Sequence, residues 1–206
     1  MITTEKLLSY EKNDLVEVAE ALQTNDINQL IKWLDEKNDK IRYNSFLLLQ
    51  HRSETHNDVY AYLDIFLDKL RSSNSYQRSI GLMLIAENTR WDEGNEFDKI
   101  IDLYLSFCDD EKPVTVRQCI QSLSKVVPFK KHLCTEIAQK LMSIEVMERK
   151  ETQRKILLMD ILNILTEIRK QVLSDEIEAY IRSATAGEIL DKKAKKEVMK
   201  LLESRE

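Results

Sequence analysis

An all-α fold, a right-handed α-solenoid of about five to six helical hairpins, is what this sequence predicts, and three observations predict it. Four arginines, Arg42, Arg78, Arg117 and Arg154, recur at intervals of 36, 39 and 37 residues, each near the start of an apolar run with helical spacing. Twelve residues before each arginine stands an apolar residue: Leu30, Phe66, Leu105 and Met142. Only 3 Gly and 2 Pro occur among 206 residues, which removes most of the turn chemistry that sheets require. Together these imply a two-helix unit written at least four times and read as a single domain over 1–206.

In chain order, residues 3–24 read as a degenerate opening hairpin, with helices over 3–12 and 14–23 and one apolar face of Leu15, Val18, Ala19 and Leu22. The second hairpin, 26–52, pairs a helix over 27–36 with the run KIRYNSFLLLQ, and Asn38-Asp39 supplies the short side-chain oxygens that cap a helix start. The third, 58–88, repeats this with a helix over 59–71, the pair Asn74-Ser75 and the run YQRSIGLMLIA. In the fourth, 96–127, a helix over 96–108 precedes TVRQCIQSLSK, and Pro113 falls where a helix can begin but not continue. The fifth, 132–168, pairs 133–146 with TQRKILLMDIL, and Thr152 is the expected cap.

The stretch ILLMDILNIL in the fifth hairpin is apolar nearly all round, so it must be covered on several sides, by neighbouring hairpins or by a partner face. Asp160 and Asn163 then need internal partners. The closing hairpin, 173–203, consists of helices over 175–183 and 190–202. Its last helix carries Leu190, Ala194, Val198, Leu201 and Leu202 on one stripe and Lys192, Lys193, Lys195, Lys196 and Lys200 around the rest, as a terminal cap facing water would.

A net charge of −5 gives no global pull toward phosphate or anionic lipid, so nucleic acid is an improbable partner. Charges run through the first 24 residues, and the longest apolar run is far short of a membrane span of roughly 20 residues. Three cysteines without close pairing fit a reducing, cytoplasmic setting. No membrane association is expected, and the oligomeric state reads as a monomer or a weak homodimer.

Hairpins of about 37 residues with a polar or proline-bearing turn and an arginine early in the second helix resemble HEAT repeats, of the armadillo-like superhelix type, over most of residues 26–202. The segments NSYQRS, ENTRWD, DDEKP and VRQC look like those of small uncharacterised bacterial HEAT-like proteins, some of which carry a label taken from iron–sulfur assembly scaffolds. The resemblance implies a non-enzymatic scaffold whose second helices line a concave face that takes a protein or peptide. It also implies that Arg42, Arg78, Arg117 and Arg154 form a structural ladder, bonding to groups such as Asp39, Asp110 or Glu151 in their own or the adjacent repeat.

Gln77, Gln118, Gln121, Ser122, Lys125 and Lys155 on the second helices are the candidate readers of that partner. Arg90-Trp91-Asp92, in the linker between two hairpins, is the sharpest local feature. The indole is either a staple across adjacent hairpins, with Asp92 capping the next helix, or an exposed anchor for a partner.

Asp109-Asp110-Glu111-Lys112-Pro113 reads as a helix-capping turn. Cys108, Cys119 and Cys134 lack close ligand spacing and read as small core side chains. His51, His56 and His132 complete no HExxH pattern. No catalytic, cofactor or metal site is expected. Two further readings remain: a DNA-binding array resembling the HEAT-like glycosylases that act on alkylated purines, and an accessory factor in iron–sulfur assembly.

Overall fold

Short polar side chains set the helix starts. In a computed structural model that describes residues 1–203, Asn38 accepts from the amides of Lys40 and Ile41 at 3.0 and 3.4 Å, and Asn74 accepts from Tyr76 at 2.9 Å. These two residues start α4 (Asp39–Thr55) and α6 (Ser75–Asn88) where the Asn-Asp and Asn-Ser pairs predict. Thr3 caps α1 (Thr4–Ser9), and a reciprocal box between Gln23 and Asp26 opens α3 (Thr24–Trp33). The remaining helices of the first half are α2 (Leu15–Glu20) and α5 (Leu63–Leu70).

The second half holds α7 (Ile101–Ser106), α8 (Pro113–Val126), α9 (Cys134–Met142), α10 (Glu151–Ile168), α11 (Asp175–Ala186) and α12 (Lys192–Glu203). Pro113 is the first residue of α8, as its missing N–H favours. Thr152 departs from its expected role: α10 already begins at Glu151, with Lys150 before it and no side-chain cap. The leading helices of three hairpins are shorter than their apolar spacing suggests. Tight 3-10 turns at Tyr60–Tyr62, Phe97–Ile100 and Lys131–Leu133 occupy part of the run ahead of α5, α7 and α9. Among the described residues the chain is all-helical, with no strand.

Two compact units divide the chain, Met1–Gly94 and Asn95–Glu206. In the first, α4 is the hub: α1, α2, α3 and α6 all pack on it, and α5 packs on α6. The opening helices α1 and α2 therefore rest mainly on α4. Ser45, Phe46, Leu48 and Leu49 on α4 are fully or nearly fully buried, as a helix covered from several sides requires.

Gly81, midway along α6, lets α5 approach closely. A Cβ there would lie 2.7 Å from the Phe66 carbonyl oxygen and 3.0 Å from a Leu70 methyl.

In the second unit α10 has the same role, with α8, α9, α11 and α12 packed around it. This central burial covers most of the apolar run: Leu157, Leu158, Ile161, Leu162, Ile164, Leu165 and Ile168 are all buried, while Ile156 is exposed and Asn163, expected to need an internal partner, faces outward instead. The α12 helix buries Ala194 and Val198 against α10 and turns its lysines outward. No described helix is long and apolar enough to cross a membrane.

Candidate functional site

Three of the four periodic arginines reach backwards. Arg42 donates through Nη1 to the Glu36 carbonyl at 2.8 Å and also meets the Asp39 carboxylate. Arg78 donates to the carbonyls of Ser72 and Ser73 at 2.9 and 3.1 Å, and Arg154 to that of Arg149 at 2.9 Å. In each case the acceptor lies five or six residues upstream, in the turn that precedes the arginine's own helix. The reason is local: a turn leaving a helix exposes carbonyl oxygens without intrahelical partners, and a guanidinium in the next helix's first turn can satisfy several at once.

Arg117 departs from this. Its Nε donates to Asp160 Oδ2 at 2.6 Å, linking α8 to α10. Of the expected partners, Asp39 pairs with Arg42, while Arg117 takes Asp160 and Arg154 takes the Arg149 carbonyl rather than Glu151. Arg117 makes an inter-hairpin bridge of the kind a ladder implies.

The Arg90-Trp91-Asp92 linker is bonded within the first unit. Trp91 Nε1 donates to the Ser53 carbonyl at 2.7 Å, Arg90 bonds the Glu54 carbonyl and the buried Glu87 carboxylate, and Asp92 accepts from Tyr60 Oη at 2.7 Å. The half-buried indole ties the end of α6 to the end of α4, the staple geometry.

Among the candidate readers, Gln77 bridges α3 and α5. Its Nε2 donates to the Leu34 carbonyl at 2.8 Å, while its Oε1 accepts from Lys69, whose ammonium also pairs with Asp35 at 2.7 Å. Ser122 faces inward: it is buried, and its hydroxyl bonds to the Tyr104 phenol. The α8 pitch puts Ser122 on the core side, one step from Gln121 on the rim.

Gln118, Gln121 and Lys125 share the half-exposed stripe of α8. Gln121 Nε2 donates to Asp160 Oδ1 at 2.9 Å beside Arg117, so a buried carboxylate on α10 organises that stripe. Lys155 lies at the start of α10 and pairs with Asp191, the residue whose carboxylate caps α12 through the Ala194 amide. Exposed Val114 and Ile156 stand one turn before Gln118 and Asp160 on the same faces.

Other polar constellations also resolve into structure. Asp109 pairs with Lys140, and Asp110 accepts from the Lys112 amide at 2.8 Å, capping the turn rather than α8 itself. Cys108 and Cys119 meet at 3.7 Å between sulfurs, both fully buried, and Cys119 donates to the Tyr104 carbonyl. Burial raises the Cys119 thiol well above its ordinary value. His132 pairs with Asp98 at 2.6 Å, and His51 and His56 lie near Glu54 and Glu20. Among the described residues no group of three or more His, Cys, Asp or Glu is placed to hold a metal ion.

Three buried cations escaped the sequence reading. Arg52 is joined to Asp58 and to the carbonyls of Ala19 and Glu20, Lys69 to Asp35, and Lys130 to Asn95 at 2.8 Å. Their partners lie 6 to 35 residues away, and no local pattern marks them. Asn95 carries a positive φ of 53°, a conformation that Asn tolerates better than most side chains.

These features define an all-α protein with interlocked side-chain clasps and a mixed polar and apolar helix face. No protein-family model matches the chain, and no curated protein matches it at a significant level.

Proposed function

We propose that this chain is a non-enzymatic module that binds a protein or peptide along its second helices, in the manner of the HEAT-like arrays its period resembles. The observation that carries this reading is the α8–α10 face. Arg117 and Gln121 pin Asp160, which fixes the backbone and rotamers beneath the surface. The side chain of Gln118, half-exposed between them, makes no hydrogen bond to any described residue and can offer its amide to a partner. Val114 and Ile156 add apolar contact at the same level. A preorganised face of this kind loses little conformational entropy on binding, which favours peptide recognition.

The cytoplasmic setting and the concave placement of this face belong to the same reading. The net charge of −5 weighs against a phosphate-tracking surface and so against the duplex-DNA alternative.

Affinity capture tests the proposal. The wild-type chain should retain a specific protein that a Gln118→Ala, Lys125→Glu variant of unchanged helicity loses. Retention at the wild-type level by that variant would remove α8 from the binding surface. An electrophoretic shift with duplex DNA at low salt would favour the glycosylase-like reading instead.

A further inference from the structure

A cleft of about 520 Å³ opens in the second unit, bordered by the end of α9, the 144–147 segment, α10, α11 and the turn after it. Its walls are largely apolar. Met142, Met147, Leu158 and Ile189 line it, and Met147 is 58% exposed, an unbranched thioether free to adapt to what it meets.

Three polar groups stand in this lining without partners. Glu145 and Glu188 form no ion pair or side-chain hydrogen bond among the described residues, and the Tyr180 hydroxyl is bonded to none of them. Burial first, and then the nearby Glu145 carboxylate, raise the Tyr180 phenol above its ordinary value, so Glu145 bears directly on the aromatic ring's surroundings. No lysine or arginine contributes to the lining.

We infer that this cleft docks a basic, apolar segment of a partner protein: a bulky aliphatic side chain against the methionine wall, and a lysine or arginine held by Glu145, Glu188 and the face of Tyr180. Charge complementarity selects this occupant. An acidic segment would meet two unpaired carboxylates, and a purely apolar one would leave them facing low-dielectric surroundings. A long cationic side chain satisfies both demands, since its stem covers apolar surface while its head meets the carboxylates and the aromatic ring. The inference rests on the reading of the chain as a binding module and adds a surface distinct from α8.

The probe is a fluorescein-labelled amphipathic peptide of leucine and lysine, titrated against the full chain by anisotropy at low and moderate salt. Binding should weaken as salt rises. A Glu145→Gln, Glu188→Gln variant should lose about five- to ten-fold in affinity, in line with two exposed charge pairs. Met147→Ser should lose about three-fold, and the same peptide with glutamate in place of lysine should not bind.

Each substituted position is exposed, so circular dichroism and the melting temperature should match wild type. An absence of binding, equal binding by the charge variant, or binding of the glutamate peptide would each overturn the cleft assignment. Capture of a partner that depends on Gln118 and Lys125 would still stand after that failure. Loss of that capture with peptide binding intact would remove only the α8 face.

Discussion

Arg52 and Asp58 face each other across the end of α4. Arg52 Nε and Nη2 both donate to the Asp58 carboxylate, at 3.1 and 2.7 Å, while Nη1 reaches back to the carbonyls of Ala19 and Glu20 at 3.1 and 2.7 Å. One buried guanidinium therefore closes the end of α2, anchors α4 and orders the turn toward α5. Replacing it by methionine keeps the stem but leaves the helix-end carbonyls without a donor. Arg52→Met should lower unfolding free energy by about 3 kcal/mol in urea titrations. Asp58→Asn, at a half-exposed position, should cost about 1 kcal/mol or less. Equal costs for the two would contradict the assignment of the carbonyl bonds to Arg52.

Gly81 offers a sharper test of packing. Alanine is the better helix former by about 1 kcal/mol, so an unpacked position would gain from the change. Here the new methyl would press on the Phe66 carbonyl at 2.7 Å, backbone that cannot rotate away. Gly81→Ala should destabilise by about 1–2 kcal/mol net, read from the melting temperature and the urea midpoint. A more stable variant would show that α5 and α6 are not in this close contact.

The buried acids of the second unit predict an alkaline limit. Burial, then the influence of Cys119, raises the Tyr104 phenol well above its ordinary value, and burial, then Cys108, raises the Cys119 thiol. Both groups keep their protons longer when folded. Their stabilisation is complete below the unfolded-state values, about 8.5 for a thiol and 10 for a phenol, and is lost as pH rises past them. The urea midpoint should hold near neutral pH and fall progressively above about pH 8.5. A Cys119→Ala, Tyr104→Phe variant should show a flatter alkaline limb; an identical slope would mean that other groups set it.

The Arg117–Asp160 bridge can be weighed by a double-mutant cycle. Arg117 is half-exposed and Asp160 buried, so removing the arginine leaves Gln121 as the carboxylate's remaining side-chain donor. Arg117→Ala should cost about 1–2 kcal/mol, and Asp160→Leu less than Asp160→Ala because a packed apolar side chain avoids both cavity and orphaned charge. A coupling energy near zero would mean that the two groups stabilise the fold independently of each other.

Trp91 separates a staple from an anchor. The indole donates to the Ser53 carbonyl, so Trp91→Phe should reduce stability by about 1 kcal/mol in thermal melts and leave partner capture intact. Lost capture at unchanged stability would instead make the indole a contact residue.

Helix identity was written locally. The apolar spacing, Asn38, Asn74 and Pro113 located α4, α6 and α8 to within a residue or two, because capping and periodicity are short-range properties of the chain. The early arginines are equally visible, and Asp39 is a partner of Arg42 as its position suggests, but three of them also bond backbone carbonyls, groups that every residue carries and that no side-chain pattern marks. Thr152 shows the same limit, since a threonine in a polar run serves as a cap only if the helix starts just after it.

The α10 run announced that it must be covered on several sides, and most of its apolar side chains are, with Ile156 left exposed. Which helices cover it was settled only in three dimensions, as were Ser122 turning inward to Tyr104 and Gln121 joining Arg117 on Asp160. Periodicity fixes which side chains share a face but not the depth at which a neighbouring helix passes over it. That depth depends on contacts between residues dozens of positions apart, such as the close approach at Gly81 and the reach of Arg52, whose energies enter only when the chain has folded.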